Sequence, residues 1–431
     1  MATSAATTSA CPGRRRTESM RCVRTQRSGP VRAKAKPPIR FRIQDTLSER
    51  KVSFSPPPRK PVTLYVCGVT PYDSGHMGHA FTFSIFDVLV RYIEAGGARV
   101  KYVQNVTDVD DPLFERARRD HVDWRDLADR ETKVHIRDMT ALGWRPPDVM
   151  PRVSDEIGRI LAASTKLHAL GYAYRTDALY FDASKYRGYG RLSHLSHLSM
   201  LRKLRHEDLL GTVGPNAKAD PLDFALWRRS APDEPAWPSK FGDGRPGWHI
   251  ECTAMSMHYL GKQIDIHGGG RDLQFSHHES ERAQSESLTG KKPFARAWMH
   301  TGLVRYEGHK MSKSRGNLVK VSQALQRAPA AAVRLYLVSH RYGRDWEFDW
   351  KGLTRAARFI ERMRKFLADE SRSAALKAPP SRELMAEFNS ALADDLDTPR
   401  AVRALRAAVR QRDAAAVRAM QAVLLGSASL S

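Results

Sequence analysis

Cysteine is scarce in this chain, with four residues among 431. Two of them, Cys11 and Cys22, fall in an arginine-rich N-terminal stretch. A body left with Cys67 and Cys252 has no disulfide framework, which points to a reducing, cytoplasmic setting. Long apolar runs are missing too. No eighteen consecutive apolar residues occur, so no segment reads as a membrane helix, and no internal repeat is evident. Acidic side chains are outnumbered, 47 against 71 lysines and arginines, for a formal charge of +24. Residues 1–38 hold nine cations (Arg14, Arg15, Arg16, Arg21, Arg24, Arg27, Arg32, Lys34 and Lys36) against Glu18 alone. Taking that +8 from +24 leaves +16 on the rest. A body this basic suits a polyanionic partner. The length is enough for two or three domains with a substantial core.

The basic stretch is rich in Ser, Thr and Arg and lacks an apolar h-region, which excludes a secretory signal. Two readings stay open for it. It is either a transit peptide or an over-extended start ahead of a bacterial protein, the latter with no structural role.

What is present concentrates in two short motifs. Val62-Thr63-Leu64-Tyr65-Val66-Cys67 alternates as a pleated strand does and leads towards His76-Met77-Gly78-His79. Phe81 to Tyr92 follows as an apolar segment of helical length, with Phe83, Phe86 and Val90 at helical spacing. The two histidines therefore fall at a strand-to-helix turn, where free amides and the helix dipole favour a phosphate. Their imidazoles can donate to phosphate oxygens as charge develops, and Gly78 lets a nucleotide approach the backbone. More than two hundred residues on, Lys310-Met311-Ser312-Lys313-Ser314 and Arg315-Gly316-Asn317 make a cationic loop able to close over a triphosphate. Alone, a histidine pair can simply cap or pack, and a lysine-serine loop can be a solvated turn. In this order the two reinforce each other.

Beside these motifs lie four metal-type donors. Cys67 ends the strand, and Cys252 closes Gly247-Trp248-His249-Ile250-Glu251-Cys252. His277 and Glu281 are four apart in a helical segment and so share a face. Two thiolates, one imidazole and one carboxylate make a tetrahedral zinc set. Ser276-His277-His278-Glu279 fits a capping box, which starts a helix at His277 and puts Glu281 one turn on. The competing reading is an ordinary helix N-terminus with no metal. His278 and Glu279 read as supporting residues rather than ligands. From Leu192 to Leu204 leucine recurs every three residues, so His194 and His197 are expected on the wet face of a packed helix, not in a second metal site.

The runs Tyr65-Val66-Cys67-Gly68, Asn105-Val106-Thr107-Asp108-Val109-Asp110-Asp111, Gly247 to Cys252, Asp265-Ile266-His267-Gly268-Gly269-Gly270 and Ser276 to Glu279, with the two motifs above, resemble cysteinyl-tRNA synthetase of the class I synthetases. The likeness extends from about Phe41 to Ser322 and returns in Ala393-Asp394-Asp395-Leu396-Asp397-Thr398-Pro399. It implies an α/β fold: a Rossmann-like parallel-sheet catalytic domain, a helical connective insertion and a C-terminal α-helical bundle. It implies one Zn²⁺ per chain on Cys67, Cys252, His277 and Glu281, and ATP with Mg²⁺ as substrate. His76, His79 and Lys313 would be catalytic, Gly78 and Lys310 would join them around ATP, and Thr107 and Trp248 would line the L-cysteine pocket. On its own spacing, Trp248 reads as a buried core aromatic. Zinc would offer a position that a thiolate fills and a hydroxyl fills badly, where an apolar pocket separates cysteine from serine or alanine poorly.

The resemblance further implies a monomeric cytoplasmic ligase of protein synthesis acting on the acceptor end of the cysteine tRNA. Only 117 residues follow the lysine-serine loop, so the anticodon-contacting domain of that family is expected to be missing. This opens a shortened relative, the mycothiol-pathway ligase that joins cysteine to the amine of glucosaminyl-inositol. Thr70-Pro71-Tyr72-Asp73 and the run from Gln104 to Leu113 resemble that branch. Against it, residues 214–223 stand where that branch carries an ERGGDP segment, and His267 stands where glutamine is expected. The basic body favours tRNA as well. A non-catalytic tRNA-binding or regulatory paralogue is disfavoured by the intact motifs. The expected organisation is a basic tail over 1–38, halves of the catalytic domain over 39–135 and 236–322, a mostly helical insertion over 136–235, and a helical bundle over 323–431.

Overall fold

A computed structural model describes residues 39–56, 59–73, 75–206, 218–311, 315–370 and 379–430. The basic tail and Lys313 lie outside the described residues. The described chain opens with an antiparallel hairpin, β1 (Phe41–Asp45) and β2 (Arg50–Phe54). The central sheet starts at β3 (Val62–Val69). Its Leu64 and Val66 enter one core, and Tyr65 and Cys67 enter another, as in a parallel strand covered on both faces. After it comes α1 (Met77–Ala95), whose N-cap His76 accepts from the Gly78 amide. The helix carries apolar residues nearly all round, which fits its place wedged between sheet and bundle. β4 (Val100–Val106) then pairs parallel with β3, Leu64 opposite Tyr102.

An excursion follows through α2 (Asp111–Asp120), α3 (Trp124–Ala141) and α4 (Ile157–Ala169). It continues into short strands β5 (Ala173–Arg175) and β6 (Leu179–Phe181), helix α5 (His197–His206), and strands β7 (Phe224–Arg229) and β8 (Gly244–Pro246). The strands form a four-stranded antiparallel sheet in the order β5-β6-β7-β8, an element absent from the sequence expectation. Three of the four are three residues long, too short for alternation to register. The leucine pattern around His194 is only partly helical. α5 begins at His197, His194 sits in a left-handed turn, and Leu198 is 65% exposed. The histidines do face water or polar groups: His194 Nε2 meets the Thr46 carbonyl at 2.6 Å and His197 faces Asp220.

The chain returns through α6 (Trp248–Leu260) to β9 (Ile264–Gly270), α7 (Glu279–Thr289) and β10 (Ala295–Thr301), completing a parallel sheet in the order β10-β9-β3-β4. The glycine run at the end of β9 has a packing reason. A Cβ on Gly268 would lie 2.2 Å from the Phe86 ring of α1, so only glycine admits that helix. A small sheet of β11 (Val304–Tyr306), β12 (His309–Lys310) and β13 (Trp346–Glu347) flanks helices α8 (Val321–Arg327) and α9 (Ala330–Val338). The bundle is finished by α10 (Trp350–Glu370), α11 (Arg382–Ala393), α12 (Thr398–Arg410) and α13 (Ala414–Leu424). Among the described residues, no helix is long and apolar enough to cross a membrane.

Two polar ties join bundle to sheet. Asp87 of α1 and Arg334 of α9 form an ion pair with both side chains fully buried. Arg334 also donates to the Leu424 and Leu142 carbonyls, at 2.7 and 3.3 Å, and Asp87 accepts from Arg91 and the Arg145 amide. The second tie is at the turn between α11 and α12. Asp395 accepts from the Gln44 amide at 2.8 Å and from the Tyr342 hydroxyl, while Asp394 pairs with Arg42 and Lys51. Removing one partner of a buried pair leaves a desolvated charge. Arg334→Ala is therefore expected to cost about 3–5 kcal/mol, read as a lower urea midpoint. A change within about 1 kcal/mol, the range of an exposed pair, would show that the bundle is held by other contacts.

Candidate active site and metal centre

The turn that carries the paired histidines is fixed by residues 319–321, distant in sequence. Met77 N donates to the Val319 carbonyl at 2.9 Å, and Val321 N donates to the Gly75 carbonyl at 2.6 Å. His76 and Lys320 form a β-bridge, and Lys320 Nζ lies 3.3 Å from Asp73. The segment emerging from the lysine-serine loop thus lies against the N-terminus of α1. The histidine turn is held by a segment that lies just beyond that loop and more than two hundred residues on in sequence. The rings of His76 and His79 lie with centroids 3.9 Å apart, both half-buried. Gly78 sits between them. A Cβ there would come 2.8 Å from His76 Cε1, so a side chain would push the first imidazole out of place. Lys310 is half exposed and pairs with Asp272 at 3.1 Å. Thr107 follows β4, buried, with its hydroxyl accepting from Asn105 Nδ2 at 2.9 Å.

The four expected metal donors come together. One donor atom each from Cys67, Cys252, His277 and Glu281 lie within 4.8 Å of one another, all buried. They arrive from β3, α6, the turn before α7, and α7 itself. The Cys67 thiol donates to Glu281 Oε1 at 3.3 Å, and His277 Nε2 lies 3.2 Å from the same oxygen. Glu281 Oε2 has no hydrogen-bond partner. Burial pushes the Cys67 thiol and the Glu281 carboxyl well up and the His277 imidazole well down. Burial alone thus favours the neutral forms of Cys67, Glu281 and His277. An orphaned carboxylate oxygen beside two sulfurs and an imidazole fits a zinc ion, which would hold these donors in their deprotonated form.

The capping box expected at Ser276–Glu279 does not form. Residues Gln274–His278 make a wide turn in which Phe275 has extended dihedrals, and α7 starts at Glu279 without a side-chain cap. Glu279 instead accepts from Ser193 N at 2.9 Å and from its hydroxyl, and pairs with Arg282, while Ser276 Oγ lies 3.5 Å from His249. His277 and Glu281 still share a face, because the turn leads directly into the helix. Trp248 is half-buried rather than a core residue. Its ring stacks on His277 at 4.1 Å, forming one wall beside the donor set.

Three histidines surround this set without having been singled out as ligands. His249 Nδ1 is 2.9 Å from His277 Nδ1. His267 Nε2 lies 3.6 Å from Cys67 Sγ and 3.4 Å from Glu281 Oε1. His300, on β10, is 2.7 Å from His278. His278 meets Cys67 Sγ at 3.3 Å, so Cys67, His267, His278 and Glu281 make a second, overlapping group of donors. His249 and His267 lie inside runs quoted above, whereas no local pattern marks His300. Burial lowers His249, His267 and His300 to about 3, so all three are neutral at physiological pH.

A different kind of surface lies on the bundle. Arg406 of α12 reaches the Phe359 ring of α10 at 4.6 Å, and Arg362 lies 5.8 Å from the same ring. Burial, then Arg362 and Arg410, push the Arg406 guanidinium below its usual range. Among the described residues, Arg362, Arg403, Arg406 and Arg410 form no ion pair.

Residues 53–358 match the family described as tRNA synthetases class I (C) catalytic domain. The chain is 48% identical over 348 residues to L-cysteine:1D-myo-inositol 2-amino-2-deoxy-alpha-D-glucopyranoside ligase of Parafrankia sp., covering 80% of this chain and 77% of the relative. It is 43% identical over 329 residues to the cysteine--tRNA ligase of Dehalococcoides mccartyi, covering 76% and 71%. Among solved structures, the Agrobacterium radiobacter K84 agnB2 LeuRS in ternary complex with tRNA and LeuAMS superposes with a TM-score of 0.64 at 13% identity, over 87% of this chain and 85% of that one.

If the donor set holds zinc, Cys252→Ala is expected to remove most of the metal from purified protein, as measured by elemental mass spectrometry. Occupancy equal to the parent would exclude Cys252. Binding must also expel the protons that burial keeps on Cys67 and Glu281, so zinc affinity is expected to fall as pH is lowered. A chelator competition giving a flat pH profile would contradict that. The chain belongs to the class I (C) tRNA synthetase family, and it is a ligase of that type.

Proposed function

We propose that this ligase activates L-cysteine with ATP on a zinc-bearing catalytic domain and passes the cysteinyl group to tRNA. The observation that carries the first half is the buried donor set walled by Trp248, on the same sheet whose β3–α1 turn presents His76 and His79. In this reading a carboxylate oxygen of cysteine attacks the α-phosphorus of Mg-ATP. Pyrophosphate leaves, and cysteinyl-adenylate remains. His76 and His79 donate to the phosphate oxygens while Lys313 and Lys310 draw the triphosphate in; such contacts act by position and charge. Cys67, Cys252, His277 and Glu281 would hold the zinc, which supplies a soft coordination position for the substrate thiolate. Trp248 and Thr107 border the amino-acid pocket. A terminal ribose hydroxyl of tRNA then attacks the acyl carbon, and AMP leaves. The division into catalytic halves over 39–135 and 236–322, insertion and bundle belongs to this reading, as do a cytoplasmic setting and a monomer.

The guanidinium face on α10 and α12, which forms no ion pair among the described residues, supports a polyanionic acceptor. A half-buried arginine flanked by two more is held against its own repulsion, and a phosphate backbone would relieve it. His267 and the basic body support the same acceptor. A second reading is favoured by a different observation: the 48% identity to a ligase named for an amino-sugar inositol. Residues 214–217, part of the stretch that separates the two branches in sequence, lie outside the described residues.

The two readings are separated by offering both acceptors. Aminoacylation of total tRNA, with affinity falling tenfold or more between roughly 50 and 200 mM salt, is expected for the first. Robust acylation of glucosaminyl-inositol with no cysteinyl-tRNA would replace it with the second. Upstream of the acceptor, His79→Ala and Lys313→Ala are expected to slow adenylate formation by about 10²-fold or more with little change in cysteine affinity. Serine-dependent pyrophosphate exchange matching that with cysteine would contradict the thiolate-sensing role.

A further inference from the structure

The donor cluster is tied to the protein surface by a chain of side chains that the adenylation chemistry does not use. His278 Nε2 lies 3.3 Å from Cys67 Sγ. The other nitrogen of the same ring, Nδ1, is 2.7 Å from His300 Nε2, and His300 Nδ1 is 2.7 Å from the Thr46 hydroxyl. His278 is fully buried and His300 is 6% exposed. Thr46, just after β1, is half-buried and opens with Gln44, Arg271 and Tyr342 on a cavity of about 430 Å³. Three elements distant in sequence thus converge on one sulfur.

A neutral imidazole carries one N–H and one acceptor nitrogen. Two ring nitrogens facing each other at hydrogen-bond distance must therefore share a single proton, and the whole chain has one polarity from end to end. A metal-bound thiolate only accepts. It fixes that polarity: the Thr46 hydroxyl donates to His300 Nδ1, His300 Nε2 donates to His278 Nδ1, and His278 Nε2 donates to Cys67 Sγ. The tautomers of both rings follow from the sulfur, not from solvent.

We propose that Thr46, His300 and His278 are positioning residues that orient the Cys67 sulfur and reduce its electron donation to the bound metal. The inference rests on the reading of Cys67 as a zinc ligand. A thiolate that accepts a hydrogen bond gives less charge to a metal, so the ion would keep more affinity for an exchangeable soft donor such as the substrate thiolate. Outer-shell partners of this kind typically change metal affinity by about 10–100-fold when removed. The arrangement also gives the β1–β2 hairpin a part in amino-acid selection although it is separated from the sulfur by two rings.

The test uses the full-length protein loaded with Co²⁺, whose thiolate-to-metal charge-transfer absorption reports sulfur donation directly, alongside zinc affinity by chelator competition. His300→Leu breaks the chain and is expected to shift that absorption and lower zinc affinity by about 10–100-fold. His300→Gln, which keeps a donor and an acceptor, is expected to recover most of both. Thr46→Val, nearly isosteric and at the outer end, is expected to move both readouts the same way by a smaller factor, and it decides the matter if His300→Leu fails to fold. Parent-like absorption and affinity in the folded variants would overturn the relay while leaving the metal reading intact. No thiolate charge-transfer band in the parent protein would overturn both.

Discussion

Every donor in the cluster around Cys67 is cut off from water, so whatever charge it carries has to be balanced inside the protein. That constraint shapes the active half of the molecule. Glu281, Cys67 and His277 are each pushed towards their neutral forms by burial, and a cation is the natural way to bring them back to a ligating state. The elements that deliver them cannot drift. α6 and α7 are packed against one face of the sheet, and β3 and β9 hold their register through residues facing two different cores. Trp248 on His277 closes the remaining side. The result is a rigid pocket beside a more open turn bearing His76 and His79, which suits one site that must select a small side chain and another that must admit and release a nucleotide.

The two faces of the sheet carry different tasks. One face holds α1, α9 and the terminal helices around a long apolar core. The other holds the donor cluster and the small antiparallel sheet. α1, on the first of these faces, does two jobs, because its N-terminus forms the histidine turn while Asp87 at its middle anchors Arg334. The acidic run Asp394-Asp395, where the family likeness returns, grips the β1–β2 hairpin.

Much of this was legible in the sequence, and the reasons differ from residue to residue. The strand that carries Cys67 and the helix over Phe81 to Tyr92 show in local periodicity, which needs no tertiary knowledge, although the strand runs on to Val69 and the helix already starts at Met77. The four donors were legible because each sits in a distinctive run. The short strands of the antiparallel sheet were not, since three residues cannot display alternation. The capping box looked right by residue type but lost Glu279 to Ser193, a partner eighty-six residues away. His300 gave no signal at all, because its contact with His278 is made between β10 and the turn before α7, where sequence distance says nothing of spatial distance. Trp248 fell between readings: its spacing suits a core, but the ring it packs on, His277, belongs to the buried donor set.

The anchoring of the β1–β2 hairpin bears on how the chain is made. Gln44 and Arg42 find Asp395 and Asp394 across 351 and 352 positions. A ribosome adding roughly 5–20 residues each second leaves that hairpin without its acidic partners for something on the order of 20–70 s. β10, against which it lies, is also late to emerge. The earliest segment of the described chain is thus among the last to dock, and for most of synthesis the nascent protein exposes an unpartnered hairpin and an incomplete parallel sheet, the state in which chaperones would first meet it.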